Sequence, residues 1–230
     1  MKPTMLICGP DTPLGNHLVE KALNGGYNVI ATSPPLPRQK NNHRAKEPEK
    51  KAELERLVLV PWSRQSPVSA RNVILRGLSA YDFIDDAIII HNLTKERRAL
   101  HELPIAFLQE AIDVQLKSLI FLAKEIIVHF LKRGAGSLSL VVNTEGAEVM
   151  STVDSILTSG FIALTNSLIT SYQNESFVIN GFDSGSGDAA EYASFVFSLV
   201  SDHSRRSSGK WHRHNEKNPF FLGNFRGRGK

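Results

Sequence analysis

Met5-Leu6-Ile7-Cys8-Gly9-Pro10-Asp11-Thr12-Pro13-Leu14-Gly15 is a short apolar run that breaks into a glycine-bounded turn and leads into Asn16-His17-Leu18-Val19-Glu20-Lys21-Ala22-Leu23. It reads as strand, loop, helix. With Gly9 after the strand and Gly15 at the helix mouth, such a unit places backbone N–H groups and a helix N-terminus beside a phosphate. The middle glycine that lets a backbone approach a pyrophosphate closely is replaced by Pro13, which carries a ring and no N–H. The architectural signal is therefore stronger than the chemical one.

Outward from this unit, the chain alternates strand and helix as a parallel sheet requires. Gly25-Gly26 closes the first helix, and Tyr27 to Thr32 supplies a second strand. The prolines of Ser33-Pro34-Pro35-Leu36-Pro37 forbid regular continuation, and residues 33–51 read as a polar insertion. Further strands are expected at Leu57–Val60, Ala87–Ile90, Leu138–Val142 and Phe177–Phe182. Helices are expected at about 52–56, 68–78, 153–172 and 189–200, and a long one from Pro104 to about 132. The 153–172 helix is expected to turn Ile156, Phe161, Leu164 and Leu168 to the core. The long helix is apolar on more than one side, which calls for deep burial or a second subunit.

The 230 residues, 41% hydrophobic and 22% charged, suit one domain with a sizeable core. Cys8 is the single cysteine, so an intramolecular disulfide is excluded and a reducing, cytoplasmic setting is expected. No secretory leader pattern opens the chain, and the greasiest region, 116–131, is broken by Lys117, Lys124, Glu125 and His129, so no membrane span is expected. The net charge of +4 is uneven: residues 205–230 hold eight Lys/Arg against Glu216 alone, leaving the remainder net acidic. A second basic cluster, Arg38 to Lys51, reads as a solvated face.

The glycine turn, the element order and three phrases resemble the short-chain dehydrogenase/reductase family. The phrases are Leu131 to Asn143 before the catalytic serine position, Phe177 to Gly185, and Phe197–Asp202 with Ser207-Ser208-Gly209. The resemblance implies an α/β single domain over 1–209, a doubly wound parallel sheet of the Rossmann-like, NAD(P)-binding kind, followed by a basic aromatic tail over 210–230. It also implies cofactor contacts from Gly9, Asp11, Leu14, Gly15, Ser33, Arg38, His91 and Asn92. No acid ends the second strand, so the NAD manner of holding a ribose hydroxyl has no candidate, and Ser33 with Arg38 or Lys40 favours the 2′-phosphate of NADP.

Catalysis in that family uses a tyrosine as proton donor or acceptor, a lysine four residues later, and a serine that polarises the carbonyl. The helix register puts the tyrosine position at Asp154, the lysine position at Thr158 and the serine position at Asn143. The tyrosines are Tyr27, Tyr81, Tyr172 and Tyr192, and no lysine lies between Lys132 and Lys210, so the pair cannot be formed. Gln115 replaces the asparagine that kinks the long helix, and the kink is expected to be lost. Trp62 displaces the acid that usually touches the adenine, and the region between Gly185 and the last helix is too short for a lid. No metal-ligand spacing stands out.

The main expectation is a non-catalytic oligomerising or regulatory relative, a homo- or hetero-oligomer through helices 104–132 and 153–172. The alternative is an NADP-dependent oxidoreductase with an atypical site. A third reading is an RNA-associated scaffold, because residues 205–230 mix bases with Trp211, Phe220, Phe221 and Phe225, as single-stranded nucleic-acid grips do. Packing of that tail across a subunit boundary is the stronger explanation of the same residues.

Overall fold

Along β1 (Thr4–Cys8), Leu6 and Cys8 join one apolar layer while Met5 and Ile7 join the other, so this one strand shows the whole plan. A strand buried on both faces belongs at the centre of a parallel sheet covered by helices on each side. The computed structural model describes residues 2–35, 55–144, 150–184, 188–202 and 209–214. Within them, β2 (Asn28–Ser33), β3 (Leu57–Pro61), β4 (Asp86–Asn92), β5 (Ser137–Asn143), β6 (Val178–Ser184) and β7 (Trp211–His214) join β1 in one parallel sheet ordered β3-β2-β1-β4-β5-β6-β7. The order reverses between β1 and β4, the switch point outside which ligands bind in doubly wound sheets.

Helices α1 (Pro13–Asn24) and α6 (Ala189–Ser201) cover one face, and Leu14, Leu18, Tyr192 and Val196 fill the layer beneath them. Helices α2 (Pro67–Tyr81), α4 (Ser118–Arg133) and α5 (Thr152–Ser171) cover the other over Leu6, Ile89, Phe130, Leu140 and Phe161. Helix α3 (Ile105–Ile112) runs into α4 through a π-helical turn at Asp113–Lys117.

That turn corrects one expectation. Gln115 sits inside a π-bulge, so the long helix keeps an irregularity where its loss was expected. A π-bulge arises from main-chain bonding one residue out of step and is frequent at functional sites, so an asparagine is not needed to make it. The α5 core face also differs. Val153, Leu157, Phe161 and Thr165 are buried at four-residue spacing, whereas Ile156 is 57% exposed. Apolar residues on several sides of α5 left the sequence without one clear stripe. Its length and composition would suit a membrane span, but Val153, Leu157 and Phe161 are buried inside the domain.

Beyond the expected end of the domain at 209, β7 pairs in register with β6 and lays the Trp211 ring on Gly181, while Trp211 Nε1 donates to Asn166 Oδ1 at 2.6 Å. The sheet therefore continues into the start of the basic segment. The 52–54 part of the expected short helix, most of the insertion, and residues 215–230 of the tail lie outside the described residues.

Candidate functional site

The loop between β1 and α1 shows why Pro13 is tolerated. Thr12 caps the helix, its Oγ1 accepting from Gly15 N at 3.2 Å, and Pro13 takes the first helical position, where the missing N–H would have had no helical partner. Gly9 adopts φ +99°, and a Cβ at Gly15 would lie 2.3 Å from the Gly9 carbonyl oxygen, so both glycines are required by backbone geometry. Gly9 N donates to Thr32 Oγ1 at 3.3 Å. The side chain of Leu14 is wholly buried, so this residue offers a ligand only its main chain. The turn keeps the shape of a phosphate loop with fewer uncommitted donors.

Beside it, the ends of β1, β2 and β3 enclose a cleft of about 250 Å³ lined by Asp11, Ser33, Trp62, Arg64 and Val114 among others. Strand register builds it: Ser33 is opposite Pro61, and Trp62 N donates to the Ser33 carbonyl at 2.8 Å, which sets the two chain ends side by side. The Arg64 guanidinium lies 5.2 Å from the Trp62 ring centre, within cation–π reach, and its Nη2 is 3.9 Å from Asp11 Oδ1. Trp62 Nε1 is buried with no hydrogen-bond partner among the described residues. Asp11 and Ser33 both line this cleft, while Arg38 lies outside the described residues. Arg64 went unnoticed in the sequence, although a base two residues past Trp62 at the end of a strand was a visible signal.

The ends of β4 and β5 look different, because their polar groups bond to one another. His91 Nε2 is 3.0 Å from Thr158 Oγ1 and the imidazole stacks on Phe161 at 5.1 Å. Its pKa is lowered to about 4, chiefly by burial, with the Gln115 main chain and the Asp154 charge pulling the other way. Gln115 Oε1 is buried without a hydrogen-bond partner among the described residues. Asn143 Nδ2 donates to Asn92 Oδ1 at 2.8 Å. Asp154 accepts from Thr94 N at 2.6 Å, from Thr94 Oγ1 at 2.8 Å and from Ser151 Oγ at 3.1 Å, and is 3% exposed.

The structure thus brings Asp154, Thr158 and Asn143, which the sequence register set at the tyrosine, lysine and serine positions of the family it resembles, to one end of the crevice with His91, Asn92 and the π-bulge. None of the three side chains there is a phenol or an amine. Thr94 is the residue the sequence did not reveal, since its role rests on a partner 60 residues away. Asp183 and Ser184, at the end of β6, meet β7 instead: Arg213 Nε is 3.4 Å from Asp183 Oδ2, and Ser184 Oγ is 3.3 Å from His214 Nδ1. Burial pushes the Cys8 thiol pKa up, consistent with an inert core residue. Among the described residues no group of three or more His, Cys, Asp or Glu is placed to hold a metal.

This geometry defines the class: a doubly wound α/β protein with a cleft of about 250 Å³ at the ends of β1, β2 and β3. Solved structures narrow it. The structure titled "ElxO with NADP Bound" superposes with a TM-score of 0.76 at 14% identity over 93% of this chain and 97% of that one. A short chain dehydrogenase from Bacillus anthracis gives 0.74 at 16% over 93% and 95%. A Brucella ovis oxidoreductase of the short-chain dehydrogenase/reductase family, in complex with a partially ordered NAD, gives 0.70 at 18% over 94% and 100%. The chain has the short-chain dehydrogenase/reductase fold over nearly its whole length. No family model matches the sequence, and comparison with curated proteins found no match.

Proposed function

We propose that this protein belongs to the short-chain dehydrogenase/reductase family, works in the cytoplasm, and binds an NADP-class dinucleotide as an oxidoreductase with an atypical active site. The cleft at the ends of β1, β2 and β3 carries this reading: it offers Arg64 and Ser33 to a ribose phosphate and has no carboxylate at the end of β2 to hold a ribose diol. Trp62 and Val114 supply apolar walls for the base. Relatives of the same fold carry NADP or NAD in their solved structures, which supports the choice of ligand. NADPH supplies a hydride when bound; this chain's residues grip its adenosine half. Calorimetric titration tests the reading. Saturable binding of NADPH, tighter than that of NADH, is expected, and no heat with either at millimolar concentration overturns it.

A second reading is that the chain turns over no alcohol or ketone and has kept the fold for association. The bonds of Asp154 to Thr94 and Ser151 favour it, because that carboxylate is committed to holding the chain at the position where a proton donor would stand. Reduction of a carbonyl panel by the pure protein, lost on changing His91 or Asn143, would end it.

Association itself is proposed through α3 and α5, where Ile105 is 75% exposed, Ile156 57% and Ile112 49%. A second copy fits such a face. Sedimentation should show a dimer that becomes monomeric in Ile105→Asp/Ile156→Asp, and a monomeric wild type would remove the proposal.

A further inference from the structure

The mouth of the β1–β2–β3 cleft is spanned by one charge pair, and that pair already does what a bound nucleotide phosphate would do. Arg64 reaches from the loop after β3 to Asp11 in the loop before α1, with Nη2 and Oδ1 3.9 Å apart. The two groups differ in how firmly they are held. Arg64 lies against the Trp62 ring at 5.2 Å and its side chain is 21% exposed, whereas the Asp11 side chain is 53% exposed. Trp62 is itself 3% exposed and anchored by its main-chain bond to Ser33, so the platform under the guanidinium is fixed. If the carboxylate leaves, the cation stays in the cleft.

We propose that Asp11 is a built-in competitor for the phosphate of the nucleotide: its carboxylate occupies Arg64 in the free protein, and the ribose 2′-phosphate displaces it. This rests on the nucleotide-binding reading above and identifies the residues that set its specificity. A phosphate carries more charge than a carboxylate and presents oxygens that match the guanidinium fork, so it wins the exchange. Ser33, lining the same cleft, supplies a neutral hydroxyl that accepts or donates to the incoming group at no charge cost. Asp11 therefore lowers affinity for every phosphate-bearing ligand at this spot, and most for the one that must take Arg64. The pair is long and partly exposed, in the class whose strength corresponds to about a twofold to fivefold change in an equilibrium.

The test is calorimetric titration of NADP⁺, NAD⁺ and adenosine 2′,5′-bisphosphate into the wild type, Asp11→Asn and Arg64→Gln. Asp11→Asn is expected to tighten NADP⁺ and the bisphosphate by about threefold while changing NAD⁺ less, within the range given for such pairs. Arg64→Gln should remove the preference for NADP⁺ over NAD⁺. Circular dichroism melts of both variants, expected to match the wild type, show that folding is not at issue. Binding by the wild type that Asp11→Asn leaves unchanged or weakens, or that it tightens equally for NADP⁺ and NAD⁺, overturns the competitor role and leaves the binding reading standing. Absence of binding by all three proteins overturns the binding reading itself.

Discussion

The two ends of the crevice are made from the same sheet and differ in what their polar groups are doing. At the ends of β1, β2 and β3, a cleft keeps the Arg64 cation, the Ser33 hydroxyl and the Trp62 ring around an open space. At the ends of β4 and β5, polar side chains bond to each other or to the chain: His91 with Thr158, Asn92 with Asn143, Asp154 with Thr94. Buried polar groups bonded to one another contribute stability, and groups facing an open cleft contribute recognition. Substitutions at the two ends should accordingly read out in different experiments.

The largest effect on stability is expected from Asp154→Ala. It deletes charge-assisted bonds from the half-buried Thr94 and from Ser151, so denaturant unfolding should show a loss of about 3 kcal/mol. A loss under 1 kcal/mol would mean that the bonds around this carboxylate hold nothing together.

Acid should act through His91. Its pKa lies at about 4 in the folded chain and near 6.5 unfolded, so the unfolded state binds the proton first. Stability from this group is complete above pH 6.5 and is lost as pH falls toward 4, by about 3 kcal/mol in all. Denaturation curves of His91→Gln should lack that part of the pH dependence.

Asn143→Ala should cost about 1 kcal/mol by removing its neutral bond to Asn92. Arg64→Gln, at the open end, should move stability by less than about 0.5 kcal/mol while removing nucleotide preference. A reversed pattern, with Arg64 stabilising and Asp154 dispensable, would erase the distinction between the two ends.

Much of the fold was legible because parallel sheets write themselves locally. Apolar runs such as Ala87–Ile90 and Leu138–Val142 sit between helical stretches, and the Gly9-to-Gly15 turn marks the first crossover. The seventh strand was not legible: Trp211-His212-Arg213-His214 has only one apolar residue, and its place is set by pairing with β6 and by the Trp211 ring on Gly181.

At the site, the sequence offered Asp154, Thr158 and Asn143 as a group through register within one helix and one strand, and the ends of β4 and β5 hold all three together. It did not give their partners. Asp154 meets Thr94 across 60 residues and His91 meets Thr158 across 67, and such pairs depend on the sheet having assembled. Arg64 was visible as a base at a strand end, but its partner was not: Asp11 comes close only when β1 and β3 flank β2. Gln115 was misjudged because a π-bulge depends on main-chain bonding that side-chain identity alone does not specify.

The most direct test compares half-molecules. NADPH, adenosine 2′,5′-bisphosphate and reduced nicotinamide mononucleotide are titrated into the wild type by calorimetry. The account predicts that the bisphosphate binds within about tenfold of NADPH, or ~1.4 kcal/mol, and that the nicotinamide half gives no heat at millimolar concentration. Binding of the nicotinamide half with none of the adenosine half would contradict it.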